Sequence, residues 1–270
     1  MEKLYLYCIR EKSKRVPSIS AKGIDPQAEV FILSFRQLEA VVSKVSLGEF
    51  GSSSQIQKKA QDDPNWIKEK VLLHHQVIEK AMKDNGRQRS LIPMRFGIMF
   101  EQEKKLREAL RKDYSRINEV LENLKGKQEW SLKVYLRDRR KLEKTIEANN
   151  EIIAKKQKEI DSLDEGTAFF LEEELKEIVS RQIGKQINTI TKQIGLSLKK
   201  YSNQIVENKV LQKEISGRPE PMVFNASFLI LDEKVKQFKQ QAHNLAKQIE
   251  PQGLNLEYNG PWAAYNFSQY

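Results

Sequence analysis

The stretch MVFNASFLIL, Met222–Leu231, is apolar on nearly both faces of an extended chain. A continuous apolar run of this kind is typical of a strand that is buried at the centre of a sheet. Period-two alternation predicts two further strands, EWSLKVYL at 129–136 and LNLEY at 254–258. An amphipathic helix is predicted over 232–250, between the central strand and the last one. Together these elements predict an α+β domain on a small antiparallel sheet.

Between EWSLKVYL and MVFNASFLIL the sequence predicts a long antiparallel helical hairpin, at about 138–213. The first arm carries a heptad seam with two polar interruptions, formed by Leu142, Ile146, Asn149, Ile153, Lys156, Ile160 and Leu163. The second arm repeats at eleven residues, IGKQINTITKQ at 183–193 and then IGLSLKKYSNQ at 194–204, a period that barely supercoils. Gly184 and Gly195 in this repeat indicate the close approach of another backbone or a bend, or else tolerated flaws in a long helix.

The first half of the chain predicts another α+β unit. LYLYCIR at 4–10 and EVFILSF at 29–35 are rich in aromatic and branched residues, so both are predicted strands, and LEAVVSKV at 38–45 is a candidate third. SLIPMRFGIMF at 90–100 is predicted to be extended, and Pro93 makes it an edge or bulged strand.

Two helices are predicted to follow these strands. Asp62, Asp63 and Pro64 are typical of a helix start, and DNG at 84–86 is expected to end that helix. A charged amphipathic helix is predicted over 101–124. The glycine between lysines in KGKQ, at 125–128, then marks a boundary. We therefore expect an N-terminal α+β domain at 1–126 and a C-terminal domain at 127–270.

Composition limits the classes of function. The 270 residues contain one cysteine, Cys8, which excludes an intramolecular disulfide and a multi-cysteine metal site. The net charge of +10 lies mainly in residues 1–128, where lysine and arginine outnumber aspartate and glutamate by 25 to 17. Acidic residues are interspersed throughout, so a solvated basic surface is favoured over a nucleic-acid footprint. The apolar runs are too short to span a bilayer, and we expect a soluble, cytoplasmic protein.

The sequence lacks the common catalytic motifs. It contains no P-loop, no dinucleotide-binding glycine pattern and no Gly-x-Ser-x-Gly elbow. His74 and His75 are adjacent and project about 100 degrees apart on a helix, so they do not chelate one metal ion from one face. His243 is expected on the polar side of its helix. We therefore expect no catalytic residue, no metal and no cofactor, and hence a protein that is not an enzyme.

Arg95 is the most informative single charge, because MRFG places it between two apolar residues of a predicted strand. A fully buried arginine has to be paired. We expect a carboxylate or a set of carbonyls from the neighbouring domain to pair with it, either as a structural latch or as a partner contact.

Eight segments occur here in the order found in the gas vesicle protein F/L family, and the chain resembles that family over nearly its whole length. PMRFG at 93–97 and GPWAAYNF at 260–267 are the specific parts. The weaker segments are LYLYCIR, LEAVVSKV, HHQVIE, EWSLKVYL, GTAFFLEEEL and MVFNASFLILD. Two positions depart from the family pattern: His75 stands where the family usually has glutamate, and Ala263-Ala264 where it usually has two prolines.

The resemblance implies a non-enzymatic accessory protein of gas vesicle formation, with an α+β N-terminal domain and a ferredoxin-like C-terminal domain that carries the inserted hairpin. It implies binding to the small, very hydrophobic major gas vesicle structural protein and to other gas vesicle accessory proteins, with a place as a minor vesicle component. The residues alone leave two other functions open. These are a scaffold whose hairpin binds other coiled coils and, less favoured, a basic nucleic-acid-binding protein.

The segment GPWAAYNF is almost free of charge although 31% of the chain is charged. Chain ends are normally polar and frayed unless something ties them down, and large aromatic side chains are suitable anchors. We expect the segment to fold back from the last strand into the junction between the domains, near PMRFG, as a structural clasp first and a partner site second. The predicted contact residues are Arg95, Phe96, Trp130, Pro261, Trp262, Tyr265, Asn266 and Phe267.

Overall fold

The computed structural model describes residues 2–13, 19–46, 48, 50–51, 53–84 and 87–269. The chain divides into two compact units, the first formed by Met1–Glu129 together with Pro261–Tyr270 and the second by Trp130–Gly260. The sequence expectation grouped residues 261–270 with the C-terminal domain. These residues group instead with the first unit, because Ala263 and Tyr265 pack in its apolar cluster.

Five strands form the sheet of the first unit. Their bounds are Glu2–Glu11 (β1), Val30–Phe35 (β2), Leu38–Ser46 (β3), Leu91–Pro93 (β6) and Met99–Phe100 (β7). The order is β2-β3-β1-β6, β7 also pairs with β1, and the pairs are antiparallel. Lys83–Asp84 (β4) and Arg87–Gln88 (β5) form a separate two-stranded ribbon. The extended segment expected at 90–100 is therefore two short strands with a turn between them.

The described residues of the first unit form four helices, Ser53–Asp62 (α1), Pro64–Met82 (α2), Glu103–Lys112 (α3) and Tyr114–Leu124 (α4). Asp63 caps α2, because its side chain accepts hydrogen bonds from the backbone N–H groups of Asn65 and Trp66. The single helix expected over 101–124 is broken at Asp113 into α3 and α4. In the expected stop DNG, residues 85 and 86 lie outside the described residues.

A buried ion pair lies inside the first unit. Arg10 is 3% exposed and its Nε donates to Oε2 of Glu39 at 2.9 Å. The guanidinium also donates from Nη1 to the carbonyl of Ala81 at 2.8 Å, and the other oxygen of Glu39 accepts from the backbone N–H of Ser13 at 2.9 Å. Arg10 and Glu39 are directly opposite each other on β1 and β3. Hydrogen bonds thus surround both charges, as burial of an ion pair requires.

The second unit contains four strands and five helices in the described part of the chain. They are Lys127–Leu136 (β8), Arg139–Asn149 (α5), Glu151–Ile160 (α6), Glu165–Lys199 (α7), Gln204–Glu207 (β9), Lys213–Ser216 (α8), Met222–Leu231 (β10), Val235–Ile249 (α9) and Leu254–Trp262 (β11). The sheet order is β11-β8-β10-β9, which puts β8 and β10 in the middle. Mixed helix and sheet content confirms the α+β class. The ferredoxin-like assignment stays a prediction, and the order strand, helices, two strands, helix, strand agrees with that motif.

The helical hairpin differs from the predicted one in two places. Its first arm is broken at Asn150, whose side chain caps α6 by accepting from the N–H groups of Ile152 and Ile153. Its second arm ends at Lys199, and the prediction of helix up to 213 is wrong there, because residues 204–207 pair with β10 as a strand. The eleven-residue repeat continues in the sequence beyond the point where the helix stops.

We expect Glu39→Gln to lower the free energy of unfolding by about 3–5 kcal/mol, because it leaves the buried guanidinium of Arg10 without a counter-charge. Urea unfolding followed by circular dichroism measures this loss. The control is Glu2→Gln, which removes the exposed pair of Glu2 with Lys44 (2.8 Å) and is expected to cost less than about 1 kcal/mol. Equal losses in the two variants would contradict the stabilising role assigned to the buried pair.

Candidate functional site

The turn that carries PMRFG is held by a buried tyrosine and a buried histidine. The hydroxyl of Tyr5 accepts a hydrogen bond from the N–H of Gly97 at 3.0 Å and lies 2.9 Å from Nδ1 of His74. Nε2 of His74 lies 3.1 Å from the carbonyl oxygen of Met94. A carbonyl only accepts, so Nε2 carries the hydrogen and Nδ1 accepts from the tyrosine hydroxyl. Both ends of the turn are thereby fixed to β1 and α2.

Burial makes this pair neutral. Desolvation lowers the pKa of His74 to about 4, against a smaller opposite effect of its hydrogen bond to Met94. Desolvation also raises the pKa of Tyr5 above its usual range. The imidazole and the phenol are therefore both uncharged at neutral pH. In these forms the phenol O–H can donate its hydrogen bond to Nδ1 of the imidazole.

The segment after β11 is anchored in the first unit by apolar and polar contacts. Ala263 and Phe267 are buried. The backbone N–H and the side-chain Nδ2 of Asn266 donate to the two carboxylate oxygens of Glu129, at 3.1 and 2.6 Å. The hydroxyl of Tyr265 lies 3.3 Å from Nδ1 of His75. Burial and these hydrogen bonds thus hold residues 263–267 in a fixed position on the first unit.

The turn and the C-terminal segment meet through the two adjacent histidines of α2. The ring of Phe96 lies 5.9 Å from that of His74, and the ring of Tyr265 lies 5.5 Å from that of His75. The two imidazole rings are 5.8 Å apart. Phe96 and Tyr265 pack against one apolar cluster of the first unit. We call the exposed side chains that these segments carry, Arg95, Ile98, Pro261 and Trp262, the loop–tail surface.

The structure places Arg95 differently from the sequence prediction, which expected it to be buried and paired. Arg95 is exposed, because PMRFG forms a turn rather than a strand interior. Among the residues of this unit whose burial is described, the buried arginine is Arg10, which the sequence analysis did not single out. Its signal was Glu39 in LEAVVSKV, a carboxylate at the start of a largely apolar predicted strand.

Trp130 lies in the core of the second unit, where it is 4% exposed. Its ring faces Tyr258 at 6.5 Å, and Nζ of Lys239 lies 4.5 Å from the ring centroid. A cation over an indole face stabilises such a packing arrangement. The expected role of Trp130 as an interdomain or partner contact stays a prediction.

Two further features of the site concern metals and membranes. Among the described residues, no group of three or more His, Cys, Asp or Glu side chains converges to hold a metal ion. In the same part of the chain, none of the helices has the length and apolarity needed to cross a bilayer. What the loop–tail surface does offer is one cation and three apolar side chains on an ordered backbone.

An α+β protein with two antiparallel sheets and a helical hairpin has a counterpart among solved structures. The crystal structure of the gas vesicle protein GvpF from Anabaena sp. PCC7120 is similar over 100% of this chain and 99% of its own, with a TM-score of 0.75 and 20% identity. The sequence model of the family described as gas vesicle synthesis protein GvpL/GvpF matches residues 3–269. The chain belongs to this family.

Two named relatives show how far the sequences have diverged. Gas vesicle protein F of Nostoc sp. strain PCC 7120 is 24% identical over 202 residues, which is 74% of this chain and 77% of that protein. Gas vesicle protein L of Streptomyces sp. is 23% identical over 265 residues, covering 98% of this chain and 92% of that protein. The F and the L branches are thus about equally distant by identity.

We expect stability to fall as the pH is lowered from about 6.5 to 5. The folded-state pKa of His74 lies well below its ordinary value of 6.5, so the unfolded chain binds more protons in this window. The expected loss is about 2 kcal/mol, measured by urea unfolding at each pH. Burial lowers the pKa of His75 as well, which acts in the same direction. A His74→Gln variant with the same pH slope as the native chain would contradict this assignment.

The anchoring of the C-terminal segment predicts unequal losses from its two aromatic ends. Phe267 is 8% exposed and Trp262 is 46% exposed. Phe267→Ala is expected to cost about 3–5 kcal/mol of unfolding free energy, as for other buried phenylalanines, and Trp262→Ala clearly less. Hydrogen exchange of the amide of Asn266 is expected to speed up in Phe267→Ala. The reverse order of stabilities would show that Trp262 is the anchor.

Proposed function

We propose that this protein is an accessory factor of gas vesicle assembly that binds the major gas vesicle structural protein through the loop–tail surface. One observation carries the proposal: Trp262 is 46% exposed although the residues that follow it are anchored. An aromatic side chain at the surface on an ordered backbone loses little conformational entropy when it is covered, and tryptophan is enriched among residues that dominate binding energy.

The other parts of the loop–tail surface support an apolar partner. Ile98 is 38% exposed, and the hydrogen bond of the neighbouring Gly97 to Tyr5 fixes its backbone. Arg95, three residues earlier in the same segment, adds an exposed cation. An apolar centre with a charged neighbour is the usual composition of a protein–protein contact.

The proposal assigns the chain a binding role in the cytoplasm and no catalytic role, without a cofactor or a nucleic-acid partner. Membership of the family supports it, since the relatives above are named as gas vesicle proteins. Retention in the finished vesicle as a minor component is part of the same proposal.

The test is co-expression of the full chain with the major gas vesicle structural protein, followed by affinity purification of the soluble complex at about 1 M salt, where surface charges are screened. We expect a complex with the native chain and at least a tenfold lower yield with the double variant Ile98→Ser, Trp262→Ala. The control is Ile215→Ser, which removes a 70% exposed isoleucine from α8 in the second unit and is expected to leave the yield unchanged.

A second candidate function is a scaffold for other accessory proteins, and one observation favours it. Phe169 and Phe170, near the start of α7, are 59% and 76% exposed, and their rings contact each other at 5.9 Å. Exposed aromatic pairs at a helix end are typical of interaction sites. If the native chain recovers none of the expressed major protein, yet captures another accessory protein and loses it in Phe169→Ser, Phe170→Ser, the scaffold function replaces the first proposal.

A further inference from the structure

Strand β9 is at the edge of its sheet and leaves backbone groups available. The sheet order ends at β9, and the N–H of Asn208 donates to the carbonyl of Asn225 on β10 at 2.8 Å. Hydrogen-bonded and non-hydrogen-bonded pairs alternate along an antiparallel ladder. Glu207 and Ile205 of β9 therefore belong to non-hydrogen-bonded pairs. The N–H and C=O groups of Glu207 and Ile205 consequently point away from β10.

An open groove of about 500 Å³ lies beside this edge, between β9 and α7. Phe224 and Gly195 line it, and a Cβ on Gly195 would lie 4.0 Å from Cζ of Phe224. Phe224 is 9% exposed, and the glycine that the eleven-residue repeat carries leaves the groove beside its ring edge free of a side chain. Leu196, which is 64% exposed, adds a second apolar side chain. An apolar side chain on an added strand would pack against both.

The groove is positively charged at its rim. Lys192 and Lys199 are exposed and line it, and Glu207 is the acidic residue in the lining. Neither lysine forms an ion pair with any residue that the structure describes. Seven residues of α7 separate them, which is about 10 Å along the axis. Positions on one face of an extended chain recur every ~6.6 Å, so two carboxylates with one apolar side chain between them are about 13 Å apart, a spacing that long lysine side chains about 10 Å apart can meet.

We propose that the β9 edge and this groove bind an extended segment of a partner protein by strand addition. The segment pairs with the outward backbone groups of Ile205 and Glu207 and places an apolar side chain over Phe224. Carboxylates on the same face lie near Lys192 and Lys199. This mode takes its affinity from main-chain hydrogen bonds and its selectivity from alternate side chains. The site is in the second unit, and the proposal stands independently of the loop–tail surface.

A second copy of this chain is a less favourable occupant of the β9 edge, because its charges complement those of the groove poorly. In an antiparallel pairing of two β9 strands, each copy would bring one acidic side chain, Glu207, to a groove that carries two lysines. Its own Lys192 and Lys199 would approach the same rim. A segment with two carboxylates is complementary instead.

The test measures binding of a fluorescein-labelled, end-capped peptide, TVTETVTE, to the purified full chain by fluorescence anisotropy at about 50 mM salt. On one face of this peptide, valine alternates with glutamate. We expect saturable binding, and at least tenfold weaker binding of TVTKTVTK, because lysine replaces the carboxylates.

Two variants at one position separate backbone pairing from charge. Glu207→Pro removes the outward N–H, and proline is tolerated at edge positions whose N–H faces solvent. Glu207→Ala removes the same charge but keeps the N–H. We expect Glu207→Pro to bind at least tenfold more weakly than Glu207→Ala. Gly195→Leu, which fills the groove, is expected to abolish binding, and it provides the test if the proline variant does not fold, as judged by circular dichroism.

Three outcomes of the binding measurements overturn the proposal. They are equal affinity of the proline and alanine variants where both fold, unchanged affinity of Gly195→Leu, and absence of binding up to about 1 mM peptide, the weakest range of specific affinity. Sedimentation of the free chain checks the other occupant. A dimer that Glu207→Pro converts to a monomer would assign the edge to a second copy and overturn a partner segment.

Discussion

Two hydrogen bonds from Asn266 to the buried carboxylate of Glu129 close the first unit across 137 residues of sequence. Everything between Trp130 and Gly260 belongs to the other unit, so the first unit is discontinuous in sequence. Joining two distant points of a flexible chain costs conformational entropy that grows with the length of the loop. Here β8 and β11 are neighbours in the second sheet. The pairing of these strands already brings together the two points at which the chain leaves and re-enters the first unit, so the entropy cost of closing it is smaller.

Polar groups inside the first unit make its packing specific. The bonds of Tyr5 to His74 and Gly97 place the PMRFG turn, and the pair of Arg10 with Glu39 sets the register of β1 against β3. A one-residue shift of register would turn the apolar side chains to the other face and would also leave a buried charge without its partner. The hydrogen bonds from the turn to Tyr5 and His74 hold its backbone in place. The turn can therefore expose the side chains of Arg95 and Ile98 and still have an ordered backbone.

Much of the fold could be predicted from the sequence, because its strands and helices have clear periods. The central strand at 222–231 and the cap at Asp63 follow directly from local pattern and capping chemistry. The end of the hairpin could not be predicted in this way. Residues 204–207 continue a helical repeat, and only the pairing of Ile205 with Phe228 makes them a strand. Tertiary pairing overrides local periodicity there.

The candidate site was less predictable than the fold. Residue type alone showed that the C-terminal segment would be tied down, but Trp262 and Phe267 are both large aromatics, and nothing in their local sequence says which is buried. For Arg95 the expectation depended on a strand that is a turn in the structure. Arg10 lies near the end of a predicted strand, where a charge is ordinary, so its burial depends on Glu39 and Ala81, which are distant in sequence.

The discontinuous first unit has a consequence for synthesis on the ribosome. Chains fold as they emerge, N-terminal segments first. Residues 1–129 emerge early, yet Ala263 and Tyr265, which pack in the apolar cluster of the first unit, emerge only after the whole second unit. The nascent first unit therefore exposes the apolar surface that these residues cover until the second unit and the segment after it have been synthesised, and a ribosome that stalls within the second unit leaves that surface open to chaperones and proteases.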